Sequence, residues 1–296
     1  MTAARKTSFA YLALAVIWGT TWFAIRESMG PDGFPTMLAA ALRFTLATAI
    51  LVPMAWRARP WPERAQWPWL IVAGVLNAVG YALIYLGERE VPGGLAAVLF
   101  GTQPLVVAAL LFLTRMETVR VHDVASAVIA LVGVAIIFAD QLAVSGGQAV
   151  GVVLVIASVV VSALYTMVIK RHGGRTHVLA STTVFVGVTA VCLWIAAGFS
   201  DHEPMPWPLP VNATLALVYL AVAGTAIGFV AYFWLLARVS LLAANVLGFV
   251  LPVIALAIDA LFESHTRLGP QAYAGVAVIL AAVALAQRKP APTPAA

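Results

Sequence analysis

LAAVLFGTQPLVVAALLFLTRMET, residues 95–118, aligns without a gap with AANVLGFVLPVIALAIDALFESHT, residues 243–266. The two segments lie 148 positions apart and share seven identical positions, with Pro104 and Pro252 in register. Apolar composition alone would yield several of these matches, so the shared proline is the informative one. We therefore expect the chain to contain two related halves.

The composition indicates that these halves lie in a membrane. Of the 296 residues, 62% are hydrophobic and 10% are charged, and the mean hydropathy is +0.98. Soluble domains carry about 25% charged residues. Nearly charge-free runs recur along the chain, each close to the roughly 20 residues that a helix needs to cross the hydrocarbon core. Ten such runs are predicted to be transmembrane helices: 9–25, 36–56, 67–87, 92–113, 122–139, 149–169, 178–199, 212–235, 241–262 and 269–287.

The positive charges predict the orientation of these spans. If the N-terminus is cytoplasmic, thirteen of the seventeen Lys and Arg residues fall on the cytoplasmic side. Arg26, Arg89 and Arg267 fall outside, and Arg43 lies within the second span. This asymmetry is typical of a multi-pass membrane protein with both termini in the cytoplasm. The net charge of +5 reflects it, so we expect no nucleic-acid partner.

Each half contains five spans, an odd number, so the second half enters the membrane from the opposite side. An inverted repeat is typical of secondary transporters, whose substrate site lies between the halves near the bilayer midplane. The predicted fold class is an all-α integral membrane protein with ten transmembrane helices in two inverted five-helix repeats. The first repeat is assigned to residues 1–140, the second to 141–288, and a disordered cytoplasmic tail to 289–296.

Four segments resemble one known family. They are WGTTWFAIR (18–26), ALRF (41–44), GEREVPGGLAAVLFGTQPL (87–105) and AANVLGFVLPVIALAI (243–258). Their joint order along the whole chain is similar to that of the EamA-type permeases of the drug/metabolite transporter superfamily. The resemblance implies a bacterial inner-membrane carrier, often an exporter of amino acids, related metabolites or toxic compounds. It also implies a basket in which spans 1, 3, 4, 6, 8 and 9 surround a central cavity.

The sequence departs from the family pattern at the end of the ninth span. The family usually places a Gly-Glu pair there; the first half keeps the glutamate as Glu117, whereas the second half has Ser264 and His265. Asp259 stands where the family usually has a small residue. The substrate and coupling ion of a particular subfamily are therefore not carried over to this chain.

Candidate cavity residues lie on the first span. Trp18, Thr21 and Trp22 are spaced i, i+3 and i+4, so they share one helical face. At 1.5 Å per residue, Trp18 is roughly 10 Å from the outer end of the span, too deep for an ordinary interfacial aromatic belt. We expect Trp18 to line a cavity, with packing against lipid or another helix as the alternative. Trp22 fits either a cavity or a belt.

Other spans carry polar faces of the same kind. Asn77, Tyr81 and Tyr85 follow one another at i+4 steps on the third span, and such groups are costly when they face lipid. The stripe is predicted to line the cavity or to form hydrogen bonds between helices. The sixth and eighth spans add Ser158, Ser162, Tyr165, Tyr219, Thr225 and Tyr232, although serines serve close helix packing equally well.

The paired prolines predict the hinges. A proline removes one backbone hydrogen bond and clashes with the carbonyl one turn earlier, so Pro104 and Pro252 are expected to kink their helices. Interrupted helices at corresponding places of two inverted halves point to a transporter's site. Gln103, Asn245 and Gly248 lie beside the two prolines and offer donors, acceptors and space for a ligand.

Two ionisable residues lie within predicted spans. Arg43 and Asp259 fall at similar depths, which permits an ion pair between them. Asp259 fits three roles: a structural or interfacial residue, a paired gate, or a site for a proton or a substrate amine. Arg43 fits either a structural anchor or a ligand for a carboxylate, and its family position in an outer helix favours the anchor.

The sequence as a whole predicts a secondary transporter that exports small metabolites, such as amino acids or aromatic compounds, by alternating access. One alternative is a proton-coupled efflux carrier for drugs or toxic compounds. A polar-lined channel is less favoured, because the sequence shows no ring of charges that would select ions. The sequence lacks the motifs of the common enzyme classes, and no cofactor or metal site is expected. The expected partners are a small-molecule substrate and the lipid bilayer, and the oligomeric state is left open.

Overall fold

The computed structural model describes residues 3–29, 33–91, 93–137, 146–173, 176–262 and 270–286, and all of the regular secondary structure in this part is helical. The helices in chain order are α1 (Ala3–Ser28), α2 (Thr36–Trp56), α3 (Trp67–Glu90), α4 (Gly93–Phe100), α5 (Gln103–Thr114), α6 (Val121–Ile137), α7 (Gly146–His172), α8 (Val178–Ser200), α9 (Val211–Tyr219), α10 (Gly228–Leu236), α11 (Leu241–Asn245), α12 (Leu247–Phe262) and α13 (Pro270–Ala286). A π-helical segment, Leu220–Ile227, joins α9 to α10.

Six helices in this part of the chain are long and apolar enough to cross a membrane: Arg5–Ser28, Thr36–Trp56, Trp67–Glu90, Gln148–His172, Val178–Ser200 and Val211–Leu236. Large apolar side chains such as Phe112 and Val153 are exposed on the outside of the fold, as expected of surfaces that face lipid. The other predicted spans correspond to shorter or interrupted helices, namely α4 with α5, α6, α11 with α12, and α13. The described part of each predicted span is therefore formed by one helix or by consecutive helices.

The fourth predicted span is interrupted before its proline. α4 ends at Phe100 and α5 begins at Gln103, which places Pro104 in the first turn of α5. A proline fits that turn because its missing N–H has no partner there in any helix. The prediction of a kink within a continuous helix at Pro104 is therefore corrected to a break at Gly101 and Thr102, where the Thr102 amide donates to the Leu99 carbonyl three residues back.

The ninth predicted span is interrupted too, but at a different distance from its proline. Pro252 lies inside α12, whereas the break between α11 and α12 is at Val246. The Val246 amide donates to the Ala243 carbonyl, and the Phe249 amide donates to the Val246 carbonyl. These are i+3 bonds, which tighten the backbone at a helix end. Both spans are therefore divided into two helices on the N-terminal side of their proline.

Helices from the two halves of the sequence pair with each other. The most extensive contacts join α3 with α7, α6 with α13, α2 with α8, α3 with α8, and α1 with α12. Small residues permit the closest approaches, as is usual between membrane helices. A Cβ on Gly151 of α7 would lie 3.0 Å from the Gly87 carbonyl oxygen of α3. The two halves therefore interlock rather than form two separate bodies.

Two charged side chains stabilise helix ends across this arrangement. Both carboxylate oxygens of Glu117 lie 3.0 Å from the Leu241 amide nitrogen and accept its hydrogen bond at the start of α11. The Lys170 ammonium donates to the Leu236 and Val239 carbonyls at 2.8 and 2.7 Å, at the end of α10. An anion at a helix N-terminus and a cation at a C-terminus both satisfy orphan backbone groups and complement the helix dipole.

Candidate functional site

A cavity with about 70 Å³ of free volume lies between helices of both halves. Its walls come from α1, α3, α4, α5, α7, α10, α11 and α12, which belong to the predicted spans 1, 3, 4, 6, 8 and 9. Nine of the eleven residues that the sequence predicts for substrate binding line it: Trp18, Thr21, Trp22, Tyr81, Gln103, Ser162, Tyr165, Tyr232 and Asn245. Gly248, predicted as part of a hinge, lines it as well.

Apolar residues that the sequence analysis did not select complete the wall: Ile25, Ile84, Phe100, Phe229, Ala244, Leu247 and Leu251. Phe229 is the centre of an aromatic cluster, with its ring 5.8 Å from that of Trp18 and 6.3 Å from that of Tyr81. An apolar residue in an apolar span carries no signal of its own. The signal that could have found Phe229 is its position three residues before Tyr232, which places both on one helical face.

Trp18 packs directly against the π-helical segment. Its Nε1 donates to the Gly224 carbonyl at 3.1 Å, and its ring lies 4.9 Å from that of Tyr232. A Cβ on Gly228 would lie 2.6 Å from the Trp18 Nε1, so only glycine permits this approach. π-helical turns are rare and occur often at functional sites. Trp18 is therefore both a cavity wall and a packing contact between α1 and the eighth span.

Donors and acceptors are distributed around the aromatic wall. The Asn245 side chain acts on the Tyr232 hydroxyl, and the Asn245 Nδ2 donates to the Leu241 carbonyl at 2.8 Å. Trp22 is 6% exposed, and its Nε1 has no hydrogen-bond partner within the described ranges. A buried indole N–H usually finds an acceptor. The Trp22 indole is therefore a donor that this conformation leaves unsatisfied.

Two of the predicted substrate-binding residues lie away from the cavity. The Asn77 Nδ2 donates to the Thr189 hydroxyl at 3.1 Å and joins α3 to α8. Tyr85 is fully buried, with its hydroxyl 3.5 Å from an Arg43 nitrogen. Cavity lining is therefore wrong for both in this conformation. For Asn77, the contact matches the alternative of a hydrogen bond between helices.

The predicted hinge residues meet at the edge of the cavity. A Cβ on Gly248 would lie 3.2 Å from the Pro104 Cδ, so α5 and α12 are in contact at this point. Pro252 is buried one turn beyond Gly248 on α12. Neither proline lines this cavity, and Pro104 lines a second cavity with Glu117 and Ser240. The two interrupted spans therefore touch each other at the site.

Arg43 is buried behind the cavity wall, with 1% of its surface exposed. Its Nε donates to the Thr225 hydroxyl at 2.8 Å, and its two Nη atoms lie 3.4 and 3.5 Å from the Tyr81 and Tyr85 hydroxyls. Its Cζ lies 4.8 Å from the centre of the Tyr81 ring, which is a cation–π distance. Glu88 acts on it electrostatically. Arg43 thus links α2 to α3 and to the π-helical segment.

The predicted ion pair between Arg43 and Asp259 stays a prediction. Asp259 lies on α12, but its side chain is outside the described residues. Ser264, His265 and Arg267, and the tail 289–296, are also outside them.

The sequence of the chain matches the pattern of one protein family twice, at residues 5–139 and at residues 149–287. The chain belongs to the EamA-like transporter family. The family resemblance predicted from the motifs is confirmed. The two matched regions of this EamA protein divide the cavity wall between them, since Trp18, Tyr81 and Gln103 belong to the first and Tyr165, Tyr232 and Asn245 to the second.

This EamA protein is similar to several bacterial proteins over most of its length. Protein PecM of Dickeya dadantii is 29% identical, over 96% of this chain and 92% of its own. The "Probable terminal-alkyne amino-acid exporter" of Streptantibioticus cattleyicolor is 27% identical, over 96% and 94%. The "Uncharacterized inner membrane transporter YedA" of Escherichia coli K12 is 29% identical, over 83% and 79%. One solved crystal structure shares the fold, with a TM-score of 0.76 and 20% identity over 97% of each chain.

Proposed function

We propose that this EamA protein is a secondary transporter of the bacterial inner membrane that exports small metabolites such as amino acids or aromatic compounds. The observation that carries the proposal is the aromatic cavity built jointly by the two family-matched regions. The rings of Trp18, Tyr81, Phe229 and Tyr232 offer apolar contact area and, for an amine, a cation–π contact. The names of the exporter and the inner-membrane relative support the direction and the membrane.

The proposed architecture is ten transmembrane helices in two inverted five-helix repeats, residues 1–140 and 141–288. The pattern of helix contacts supports it. In such a repeat, span 1 corresponds to span 6, span 2 to span 7, and so on. The contact of α1 with α12 (spans 1 and 9) then corresponds to the contact of α7 with α4 and α5 (spans 6 and 4), and both contacts occur. The pairs α2 with α8 (spans 2 and 7) and α6 with α13 (spans 5 and 10) each join two corresponding helices. The Lys and Arg distribution supports cytoplasmic termini.

Alternating access is proposed to operate through the two interrupted spans. Ligand cavities usually exceed about 300 Å³, several times the free volume seen here, so a metabolite can bind only after the wall moves. Phe100 and Gln103 flank one break, Asn245 and Leu247 flank the other, and all four line the cavity. Bending at the breaks would therefore reshape the site. Rocking of whole halves would instead separate the interlocked pairs α3–α7 and α2–α8.

The test is counterflow in proteoliposomes with purified protein and a panel of labelled amino acids and aromatic metabolites. We expect saturable exchange, and we expect Trp18→Ala to raise KM by about tenfold, equivalent to about 1.4 kcal/mol of binding free energy. Trp56→Ala is the matched control, because Trp56 is 74% exposed on α2, far from the cavity wall. Equal effects of the two substitutions would contradict the siting of the substrate.

A proton gradient imposed on the same vesicles separates the energetic alternatives. Exchange that ignores the gradient would indicate a facilitator and leave Asp259 a structural role or a gate. Uphill export that follows the gradient and is lost in Asp259→Asn would make this carboxylate the coupling site. Exchange of bulky hydrophobic cations, with none of the metabolites, would replace the proposal by drug efflux.

A further inference from the structure

The guanidinium of Arg43 lies immediately behind the cavity wall. Tyr81 lines the cavity, and the Arg43 Cζ is 4.8 Å from the centre of the Tyr81 ring. On the neighbouring side stands Gly224, where a Cβ would lie 3.3 Å from the Arg43 Nη2 and 3.0 Å from the Cγ2 of Thr21, another wall residue. The Tyr81 ring on one side and a glycine without a side chain on the other therefore separate the positive charge from the site.

The contacts of Arg43 leave it available to a better partner. Its Nε bond to Thr225 is short, at 2.8 Å, but the Nη contacts to the two tyrosine hydroxyls are 3.4 and 3.5 Å. These distances exceed the usual 2.7–3.2 Å of N–H···O hydrogen bonds. A guanidinium carries five donors in a fork that matches a carboxylate with two parallel bonds. The carboxylate of Glu88 already acts on this cation electrostatically. A substrate carboxylate would add the short hydrogen bonds that the two tyrosine hydroxyls, which are uncharged acceptors, do not make.

A second observation concerns Trp22, another residue of the wall. Its buried Nε1 has no acceptor among the residues described. A buried indole N–H usually finds an acceptor. In this conformation the wall thus contains a donor without a partner, in addition to the cation behind Tyr81.

We propose that Tyr81 swings aside when substrate binds and that Arg43 then binds the substrate's carboxylate, so that the protein selects carboxylate-bearing substrates. The inference rests on the proposed function and deepens it, because it names the group that the site recognises. Movement of Tyr81 breaks one long hydrogen-bond contact, with the Arg43 Nη2, together with the ring contacts to Phe44 and Phe229, and it enlarges a cavity that is too small for a metabolite. The same movement uncovers the positive charge that the Tyr81 ring covers.

The first test uses the wild-type protein in proteoliposomes and two trios of ligands. Labelled L-phenylalanine is competed with unlabelled L-phenylalanine, L-phenylalaninamide and phenethylamine, and labelled L-leucine with L-leucine, L-leucinamide and isoamylamine. The amides and amines lack the carboxylate, so we expect them to compete at least about tenfold more weakly, a typical loss when a charged hydrogen-bond partner is missing. Equal competition would overturn the inference while leaving the transport function intact. Absence of exchange with every acid would overturn both.

The second test assigns the selectivity to Arg43. Arg43→Gln is expected to bring the ratio between acid and amide close to one. Because Arg43 is buried and its replacement can prevent folding, Gly224→Ala provides a second probe. Its methyl group would lie between the Arg43 Nη2 and Thr21, at 3.3 and 3.0 Å from their atoms, and would block the approach of a ligand to the guanidinium from this side. We expect it to raise KM for L-phenylalanine about tenfold and to leave the weak competition by phenethylamine unchanged.

A matched control for this glycine lies on α8. A Cβ on Gly187 would meet only the Thr48 Cγ2, at an ordinary 3.6 Å, so Gly187→Ala is expected to leave KM unchanged. Tyr81→Phe removes the hydroxyl contact and keeps the ring; it should lower KM for the acid by about two- to tenfold, the range of one neutral hydrogen bond. Equal effects of the two glycine substitutions, or a Tyr81→Phe variant with a raised KM, would overturn the role of Arg43.

Discussion

At the residue scale, three polar residues of α3 show which contacts a sequence pattern predicts and which it does not. Asn77, Tyr81 and Tyr85 share a stripe, yet their contacts differ, with Thr189, the cavity and Arg43 respectively. At 3.6 residues per turn, each i+4 step rotates by about 40° and rises about 6 Å. Two steps therefore turn a side chain toward another neighbour. The sequence predicted that these groups avoid lipid, but the identity of each neighbour depends on the packing of α3 with three other helices.

Asn77 gives a prediction that separates packing from binding. Asn77→Ala removes the hydrogen bond to Thr189 between α3 and α8, and such bonds between membrane helices contribute about 0.6 kcal/mol on average and up to about 1.7. We expect a lower unfolding temperature in detergent and an unchanged KM in counterflow. Thr189→Val removes the same bond together with the donation of the Thr189 hydroxyl to the Gly74 carbonyl, so the double variant should lose less stability than the sum of the two single variants. A raised KM with unchanged stability would instead place Asn77 at the site.

At the scale of the element, the eighth span departs most from its prediction. A continuous helix over 212–235 was expected, and the structure contains the π-helical segment between α9 and α10. The residues of a π-helical turn do not differ in type from those of an α-helix, so the periodicity of the sequence does not reveal such a turn. Its neighbours account for it: the Thr20 and Tyr219 hydroxyls are hydrogen-bonded, and Trp18 donates to Gly224. The prolines indicated which two spans are interrupted but not where, since the breaks lie at Gly101–Thr102 and at Val246, on the N-terminal side of Pro104 and Pro252.

Gly228 tests whether this contact matters for transport. In Gly228→Ala the new Cβ would lie 2.6 Å from the Trp18 Nε1 and 3.2 Å from the Ala223 carbonyl oxygen, so the indole must move. Because Trp18 forms part of the cavity wall, we expect counterflow to fall by about tenfold or more, equivalent to at least about 1.4 kcal/mol. Gly198→Ala is the control, since a Cβ there meets no atom within 4 Å. Similar rates for the two variants would show that the fit of Trp18 against α10 is dispensable.

At the scale of the whole molecule, the sequence repeat and the packing divide the chain differently. The matched regions 5–139 and 149–287 follow one another along the sequence, as the proline alignment suggested. In space, α2, α3 and α6 each pair most extensively with a helix of the other region. A repeat can be recognised in a single sequence because the same residues recur. The packing partners of a membrane helix cannot be recognised in this way, since each apolar helix presents lipid-compatible surface in several directions.

Separating the halves tests this interlocking. Chains 1–140 and 141–296 expressed alone should each aggregate on extraction, because their largest interfaces would be missing. Co-expression of both should restore a monodisperse complex with counterflow activity. Size-exclusion chromatography in detergent and the counterflow assay measure the two outcomes. A single half that remains monodisperse and unfolds cooperatively would show that the repeats are independent bodies.

The close approach of α3 to α7 also bears on how the protein is made. Gly74 and Gly87 of α3 pack against α8 and α7, which lie in the later half of the chain. At about 5–20 residues per second, the ribosome needs roughly 3–14 s to add the 68 residues from Gly87 to its contact Val155, and roughly 6–23 s to add the 114 residues from Gly74 to its contact Val188. During that interval α3 lies in the bilayer with these small-residue faces against lipid tails or the insertion machinery. The newly inserted first half thus lacks its packing partners, and the small-residue faces of α3 are covered by α7 and α8 only when the second half is inserted.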